Sequence, residues 1–397
     1  MEARYHHDVV IVGGGNAGIS LAAKLRREGC RDVAVVEPAR VHHYRPMLSY
    51  VGSGLATLEE LSRPEADVIP AGCRWYADRA VAIDAEASVV RLSRGEELTY
   101  EDVVVCPGSQ IDWAAIPGAR EAVATPAAST NYEVELAPAT WEMLSSLTRG
   151  RAVFTLSQWQ VPCAPVALKP LFMAADHWTR TGVLDDVEIV LLVEGDRLVD
   201  EDKADRELRA TAESYAVDVR YATTLAAVDP ACRVARVRSG GQDEDLTYDA
   251  LHLTQPHRAP DWVAASGLDA PGTRGFMAVD PLTLQHRTHP RVWGLGDVAA
   301  ADALPSGGAL RKQVPVVADN IAARRSGGAM RSYSGYSVAP VTTTRRRLLL
   351  GEFDRHGRPE PTTRLIDLTR PRPATFLFDR YLEPLVYWHS LLKGKVS

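Results

Sequence analysis

The stretch from Asp8 to Ser20, DVVIVGGGNAGIS, constrains the fold more than any other part of the chain. Its four consecutive apolar residues, Val9 to Val12, predict a strand that is buried on both faces of a parallel sheet. A G-x-G-x-x-G pattern then opens a helical segment, with glycine at Gly13, Gly15 and Gly18. Such glycines allow a tight turn, let the backbone approach a pyrophosphate and let helix and strand pack closely, with the phosphates at the helix N-terminus.

A second apolar strand, Val33 to Val36, ends in the acidic residue Glu37. A carboxylate at this place accepts hydrogen bonds from the hydroxyl groups of a ribose. Because strand, turn, helix, strand and acid are all present, we expect a dinucleotide site and not a glycine-rich turn without a ligand. The pattern alone does not distinguish FAD from NAD.

Composition excludes several classes of protein. The chain has 397 residues, enough for two or three domains, and its 46% apolar and 24% charged residues are typical of a globular protein. A net charge of -6 argues against nucleic-acid binding. The five widely spaced cysteines form neither a disulfide framework nor a metal-ligand pattern, so we expect no metal site. No signal peptide fits before the first strand and no apolar run is long enough for a membrane span, which favours a cytoplasmic protein.

A second α/β unit begins with the apolar strand Ala152 to Leu156. Where a second dinucleotide site would carry glycines, the chain has Ser157-Gln-Trp-Gln-Val-Pro-Cys-Ala-Pro165. A helix predicted over Val166 to Thr181 and a strand over Val187 to Val193, which ends in Glu194, complete the unit. It keeps the shape of a dinucleotide-binding unit without its glycines, so we do not expect NAD(P)H to be the electron donor.

Several further motifs, taken together in their order, resemble the sulfide:quinone oxidoreductases within the flavin disulfide reductase-like superfamily. The segment Val41 to Leu55 is similar to the H-Y-x-P…V-G-x-G loop of that family, and Gly294-Leu-Gly-Asp297 is similar to its second flavin contact. Arg311 to Asn320 resembles its helix beside the flavin ring, and Tyr381 to Gly394 resembles the C-terminal region of its mitochondrial-like branch. The resemblance covers nearly the whole chain.

The resemblance implies an α/β fold with two Rossmann-like dinucleotide-binding domains, glutathione reductase-like, and a C-terminal extension. The expected boundaries are 1–118 and 281–330 for the two parts of the FAD-binding domain, 119–280 for the second Rossmann-like domain and 331–397 for the extension. FAD is the expected cofactor. The candidate cofactor-binding residues are Gly13, Gly15, Asn16, Ala17, Gly18, Glu37, Pro38, Arg45, Gly108, Gly296, Asp297, Lys312 and Gln313.

The cysteines bear on the chemistry. Sulfide:quinone oxidoreductases use two redox cysteines beside the flavin, and Cys163 in Val-Pro-Cys-Ala-Pro is similar to the first of them. We expect the following helix N-terminus to favour its thiolate, which is the reactive form. The second cysteine of the family should follow Gly-Asp, where this chain has Val298. No other cysteine is an obvious replacement, although Cys106 is the least remote from the flavin motifs. The alternative for Cys163 itself is a buried, inert thiol.

Two further features carry alternatives. Lys312 is a candidate catalytic residue, because a positive charge near the flavin stabilises its reduced form, and the alternative is an exposed lysine on an amphipathic helix. In the tail, 381–397, the residues Leu382, Leu385, Val386, His389 and Leu392 share one helical face. This face could lie on a membrane surface, where a quinone would be reached, or pack on the protein or on a second subunit.

The sequence therefore predicts an FAD-dependent oxidoreductase that oxidises sulfide or a small thiol by two electrons through Cys163 and passes them to a quinone. Two alternatives remain, and Val298 favours the first. One is an FAD-dependent oxidoreductase that acts on another small molecule, for example in secondary metabolism, without a cysteine relay. The other is a flavoprotein that has lost its catalysis.

Overall fold

The computed structural model describes residues 4–157 and 160–395. Its first part, up to residue 118, contains three α-helices and nine strands in the described residues. The helices are α1 (Asn16–Arg27), α2 (Leu48–Val51) and α3 (Glu65–Val68). The strands are β1 (Arg4–Val12), β2 (Val33–Val36), β3 (Val41–His43), β4 (Ser62–Pro64), β5 (Arg74–Tyr76), β6 (Ala80–Asp84), β7 (Val89–Leu92), β8 (Glu97–Val105) and β9 (Gln110–Ile111).

The middle of the chain contains four helices and eight strands in its described residues. The helices are α4 (Ala119–Ala122), α5 (Ala137–Ser146), α6 (Leu168–Thr181) and α7 (Asp202–Ser214). The strands are β10 (Ala128–Ser129), β11 (Gly150–Leu156), β12 (Val187–Val193), β13 (Asp218–Arg220), β14 (Thr223–Asp229), β15 (Val234–Ser239), β16 (Gln242–Thr247) and β17 (Ala250–His252).

The remainder, to residue 395, returns to the first sheet and ends in a helical tail. Its strands are β18 (His257–Arg258), β19 (Val292–Gly294), β20 (Ser337–Thr344) and β21 (Arg347–Phe353). Its helices are α8 (Asp261–Ala265), α9 (Leu310–Ser326), α10 (Pro373–Leu377) and α11 (Glu383–His389), with a π-helical turn, Phe378–Leu382, between the last two and a 3-10 turn, Leu391–Lys393, after them.

The first sheet has the order β5-β2-β1-β8-β7-β6, and β19 also pairs with β8. Strands β5, β2, β1, β8 and β19 run parallel, so their carboxyl ends meet at one edge. The sequence predicts a hairpin strand ending at Tyr100 and a separate buried strand from Val103. The structure instead has one continuous strand, β8, whose first half pairs with β7 and whose second half pairs with β19.

The second sheet has the parallel order β10-β17-β11-β12-β13. Helix α6 connects β11 to β12, as the sequence predicts, although it begins at Leu168 and not at Val166. An antiparallel meander, β14-β15-β16, follows, with Gly240-Gly241 at the turn between β15 and β16. The domain boundaries derived from the sequence stay predictions.

Buried charge anchors the end of helix α9 to the first sheet. Asp102 is fully buried in β8 and accepts hydrogen bonds from the Trp293 indole at 3.0 Å and from the guanidinium groups of Arg324 and Arg325. A buried carboxylate is tolerated when its lone pairs are satisfied in this way. The contact fixes α9, which carries candidate site residues at its other end, against the strands below the site.

Replacing Asp102 with Ala should leave two arginines and an indole without their shared acceptor. We expect a loss of about 3 kcal/mol in the free energy of unfolding, because breaking a buried ion pair leaves an uncompensated charge. Chemical denaturation measures the loss. Asp245→Ala is the matched control, since Asp245 pairs with Arg236 on the exposed meander, and it should change the denaturation midpoint little. Equal midpoints for the two variants would contradict the anchoring role of Asp102.

Candidate active site

The glycine-rich turn lies at the carboxyl end of β1, where backbone atoms approach closely. The amide of Gly13 donates to the Val36 carbonyl at 2.9 Å, which joins the turn to the end of β2. Gly13 has φ +116°, and a Cβ there would lie 2.9 Å from the Cα of Pro107. A Cβ on Gly18 would lie 3.0 Å from the carbonyl carbon of Gly13. Side chains are therefore excluded at both positions by backbone contacts.

The N-terminus of α1 is open toward the turn. No described side chain caps it, and a Cβ built on Gly15 meets no atom within 4 Å. The first amides of a helix have no acceptor within the helix, so they point outward with the positive end of the helix dipole. This open cradle fits a phosphate group.

Glu37 is held at the end of β2. Its two carboxylate oxygens accept hydrogen bonds from the amides of Gly14 and Ala39, each at 2.7 Å. Burial raises the pKa of this carboxyl, while the two amide donors oppose the rise. The carboxylate is thus fixed beside the turn, in the position expected for contact with a ribose.

A second strand end, after β19, contacts the same helix from the other side. Gly296 has φ +76°, and a Cβ on it would lie 3.3 Å from the Cβ of Ala17. Its amide donates to the buried side chain of Gln313 at 3.0 Å, which places the start of α9 beside this loop. Burial raises the pKa of Asp297 to about 6, and the neighbouring Arg45 opposes the rise. Within the described residues the Asp297 carboxylate forms no hydrogen bond.

The remaining candidate cofactor-binding residues differ in their contacts and in their exposure. Arg45 donates to the Tyr132 carbonyl at 2.7 Å, and Asn16 accepts from the Ser20 hydroxyl at 3.2 Å. Gly108 follows the end of β8 with φ +74° and open space where a side chain would be. Pro38 is exposed beyond the strand end. Lys312 is also exposed, 5.9 Å from the Tyr336 ring centroid, and its catalytic role stays a prediction.

These features fit FAD. The open helix N-terminus can hold the pyrophosphate, and Glu37 can accept from the adenosine ribose. At the other strand end, Asp297 has acceptor capacity that no described donor uses, as expected for a residue that binds the hydroxyl-rich ribityl chain. The structure therefore brings the two halves of the predicted site together around α1.

Cys163 lies next to this site, between β11 and α6. Its amide donates to the Pro305 carbonyl at 2.6 Å, and its thiol donates to the Val338 carbonyl at 3.4 Å. The residue has φ +48°, an uncommon backbone conformation that these contacts hold in place. Residues 158 and 159 of the preceding loop lie outside the described residues.

Four ionisable side chains act on or are affected by the Cys163 sulfur. Burial raises the pKa of the thiol to about 12; Lys169 lowers it, and Asp379 and Asp297 raise it further. The Tyr132 hydroxyl is buried without a hydrogen-bond partner in the described residues. Burial raises the pKa of this hydroxyl, and the nearby Cys163 raises it further. The expectation that a helix N-terminus favours the thiolate is wrong for this structure. A 3-10 turn, Ala164–Ala167, precedes α6, and loss of solvent outweighs the nearby positive charge.

Lys169 and its partners were missed by sequence reasoning. Lys169 is almost fully buried; its ammonium lies 2.8 Å from Asp379 and 4.4 Å above the Tyr50 ring, and the Tyr50 hydroxyl donates to the same carboxylate at 2.5 Å. One signal was present, since Lys169 is the only charged residue between positions 164 and 175. Nothing local in the sequence pairs it with Asp379.

The other cysteines occupy different places. Cys106 is buried and donates to the Gly13 carbonyl at 3.5 Å. Cys30 and Cys73 lie near Arg26, and Cys232 is exposed on a turn. All five are free thiols. Val298, in the position of the expected second cysteine, is fully buried in the apolar core.

Comparisons with known proteins agree with this geometry. A family model described as pyridine nucleotide-disulphide oxidoreductase matches residues 7–140. The mitochondrial sulfide:quinone oxidoreductase of Mus musculus is 29% identical over 397 residues, which cover 99% of this chain and 88% of the mouse protein. The mitochondrial sulfide:quinone oxidoreductase of Dictyostelium discoideum is 27% identical over 391 residues, which cover 98% of this chain and 86% of the Dictyostelium protein.

A solved structure shows the same fold. The sulfide:quinone oxidoreductase of the hyperthermophilic bacterium Aquifex aeolicus superposes with a TM-score of 0.83, covers 99% of this chain and 92% of its own, and is 17% identical. The predicted fold class and the predicted cofactor, FAD, are confirmed. The chain is thus an FAD-dependent oxidoreductase that resembles the sulfide:quinone oxidoreductases over nearly its whole length.

Proposed function

We propose that the enzyme oxidises sulfide or a small thiol by two electrons at Cys163 and passes the electrons through FAD to a quinone. The observation that supports this most directly is the hydrogen bond of 2.6 Å from the Cys163 amide to the Pro305 carbonyl, which holds Cys163 against the segment between Asp297 and α9. FAD, when bound, supplies a two-electron acceptor that a quinone can reoxidise. The names of the relatives supply sulfide and quinone as the substrate classes.

A single cysteine supports a balanced oxidation. The Cys163 thiolate and a hydrosulfide anion would form one sulfur–sulfur bond, release one proton and give up two electrons, for which bound FAD would be the acceptor, and a cysteine persulfide anion would remain. A thiol acceptor then takes the outer sulfur and returns Cys163 to a thiol, as in ordinary thiol–disulfide exchange. No second cysteine is needed, so Val298 is compatible with this route.

The residues around Cys163 have defined tasks in this scheme. Lys169 favours the anionic sulfur by its charge. The hydroxyl of Tyr132, which has no hydrogen-bond partner among the described residues, can donate a hydrogen bond to it. Asp297, with a pKa of about 6, can exchange a proton near neutral pH.

One observation favours a second candidate function. Val298 removes the paired thiol that the resemblance leads us to expect, and the structure offers no described cysteine beside Cys163 in its place. An FAD-dependent oxidation of another small molecule, without a cysteine relay, would need neither the paired thiol nor a replacement for it. The response of the flavin to sulfide separates the two proposals.

The exposed face of the tail supports contact with a membrane surface, where quinones are found. Its large apolar side chains recur every three or four residues along one helical face, at Leu377, Phe378, Tyr381, Leu382, Leu385 and Val386. The stripe lies earlier in the chain than the face predicted from the sequence, because Leu392 is buried in the 3-10 turn. No helix in residues 4–157 and 160–395 is long and apolar enough to cross a membrane.

Anaerobic sulfide should bleach the flavin of the holoenzyme, as followed by its visible absorbance in a stopped-flow spectrometer. Cys163→Ser should abolish the rapid phase, because a hydroxyl cannot form the sulfur–sulfur bond. Cys232→Ser, the same change on an exposed turn, is the control and should bleach like the native enzyme. Rapid bleaching in Cys163→Ser would rule out the thiol route. Bleaching by NADH, or by neither reagent, would favour the second candidate.

Lys169→Met should move the pH dependence of flavin reduction toward higher pH. Because Lys169 lowers the thiol pKa, removing its charge raises that pKa, and less thiolate is present at any given pH. We expect a displacement of about one pH unit, equivalent to about 1.4 kcal/mol. Lys169→Arg, which keeps the charge, should retain the native profile. A Met variant with an unmoved profile and a native circular dichroism spectrum would contradict the role of the charge.

The triple variant Leu382→Ser, Leu385→Ser and Val386→Ser should lose membrane binding. The three side chains are 41–53% exposed, so serine removes apolar surface without opening the core. Flotation with phosphatidylcholine vesicles measures the effect, with the native protein expected in the floating fraction and the variant in the sedimented one. The matched control is Val41→Ser, which replaces a similarly exposed apolar side chain away from the stripe. Flotation of the triple variant would contradict the proposal.

A further inference from the structure

The end of the chain packs back onto the dinucleotide-binding unit. This C-terminal segment, Glu383–Gly394, buries four large side chains, Tyr387, Trp388, Leu391 and Leu392. Its last residue contacts helix α1 directly, since a Cβ on Gly394 would lie 2.5 Å from the backbone nitrogen of Lys24. The helix whose N-terminus faces the phosphates is therefore supported by residues from the opposite end of the sequence.

A second contact runs from the C-terminal segment toward the glycine-rich turn. The Tyr387 hydroxyl lies 2.5 Å from Nε2 of His42, and Nδ1 of the same imidazole lies 3.2 Å from Oε2 of Glu65. All three side chains are at least nine-tenths buried, and the Tyr387 ring packs on Tyr44 with 4.2 Å between centroids. We call this series the Tyr387–His42–Glu65 chain.

The far end of the chain has an unused acceptor. Oε1 of Glu65 is buried and has no hydrogen-bond partner in the described residues. It lies 2.8 Å from the place a Cβ on Gly14 would take, and 2.6 Å separates that same place from Cγ of Glu37. A buried carboxylate oxygen without a donor is costly, so such an oxygen beside a ligand site indicates a donor that the ligand supplies.

We propose that Glu65 accepts a hydrogen bond from the adenosine half of FAD, from a ribose hydroxyl or the adenine amino group, and that Tyr387 and His42 are positioning residues for it. His42 fixes one oxygen of Glu65, which leaves the other directed at the turn. Tyr387 in turn fixes the imidazole. The C-terminal segment thereby contributes to cofactor retention through its buried face, independently of its exposed face. This inference rests on the FAD site and not on the sulfide chemistry.

Release of FAD from the holoenzyme tests the proposal, because free FAD fluoresces more strongly than the bound cofactor. After dilution, Tyr387→Phe should release FAD about tenfold faster, the change expected when a buried hydrogen bond worth about 1.4 kcal/mol is lost. The phenyl ring keeps its packing on Tyr44. Tyr221→Phe, the same change on a residue between β13 and β14, is the matched control and should release FAD at the native rate. A native release rate in Tyr387→Phe would overturn the proposal.

A double-mutant cycle distinguishes positioning from general loosening of the fold. Glu65→Gln should also speed FAD release, and the double variant Tyr387→Phe with Glu65→Gln should release FAD no faster than the quicker single variant. Side chains that act through one chain of contacts give such non-additive effects, whereas independent structural damage adds. Additive effects, or a Glu65→Gln variant that keeps the native rate, would overturn the proposal. Since flavin release needs neither sulfide nor quinone, failure here leaves the proposed reaction untouched.

Discussion

A buried ion pair between Lys169 and Asp379 joins the second α/β unit to the C-terminal helices. Moving either charge out of water costs several kcal/mol, so each is tolerable only in contact with the other. The pair therefore fixes helix α6 relative to the π-helical turn that carries Asp379. Because Cys163 directly precedes the 3-10 turn that leads into α6, the ion pair also restrains the backbone that carries the thiol.

The same charges also modulate the pKa of the thiol. Burial is the dominant effect and keeps Cys163 protonated at neutral pH, with Lys169 acting for the thiolate and two carboxylates acting against it. In the proposed reaction, a hydrosulfide anion would add negative charge near Lys169. The thiol proton must leave before the sulfur–sulfur bond forms, and Asp297, with a pKa of about 6, is too weak a base to take it from a thiol whose pKa is about 12. The positive charge of Lys169 favours the loss of that proton.

Local patterns predicted the parts of the fold that depend on neighbouring residues. The first strand–turn–helix unit, the end of β2 before Glu37 and the β12 strand follow from hydrophobic period and glycine placement. The structure has all three, although β1 begins at Arg4 and not at Val9. The prediction of two separate strands in place of β8 was wrong. Its first half pairs with β7 and its second half with β19, and only the sheet shows that the two halves are continuous. Lys169 stands out in the sequence as a lone charge in an apolar stretch, but its partner, Asp379, lies in a distant part of the chain. The raised pKa of Cys163 depends on burial, which no local pattern shows.

The C-terminal segment shows why a helical pattern read from sequence can be incomplete. The π-helical turn, Phe378–Leu382, adds a residue to the helical period, so Asp379 and Arg380 point inward while Tyr381 and Leu382 remain exposed. After this turn, Tyr387 and Trp388 face the FAD-binding unit and Leu385 and Val386 face outward. Packing on the protein and contact with a membrane surface, two of the alternatives predicted for the tail, are therefore compatible. One face packs on the dinucleotide-binding unit, and the other is exposed.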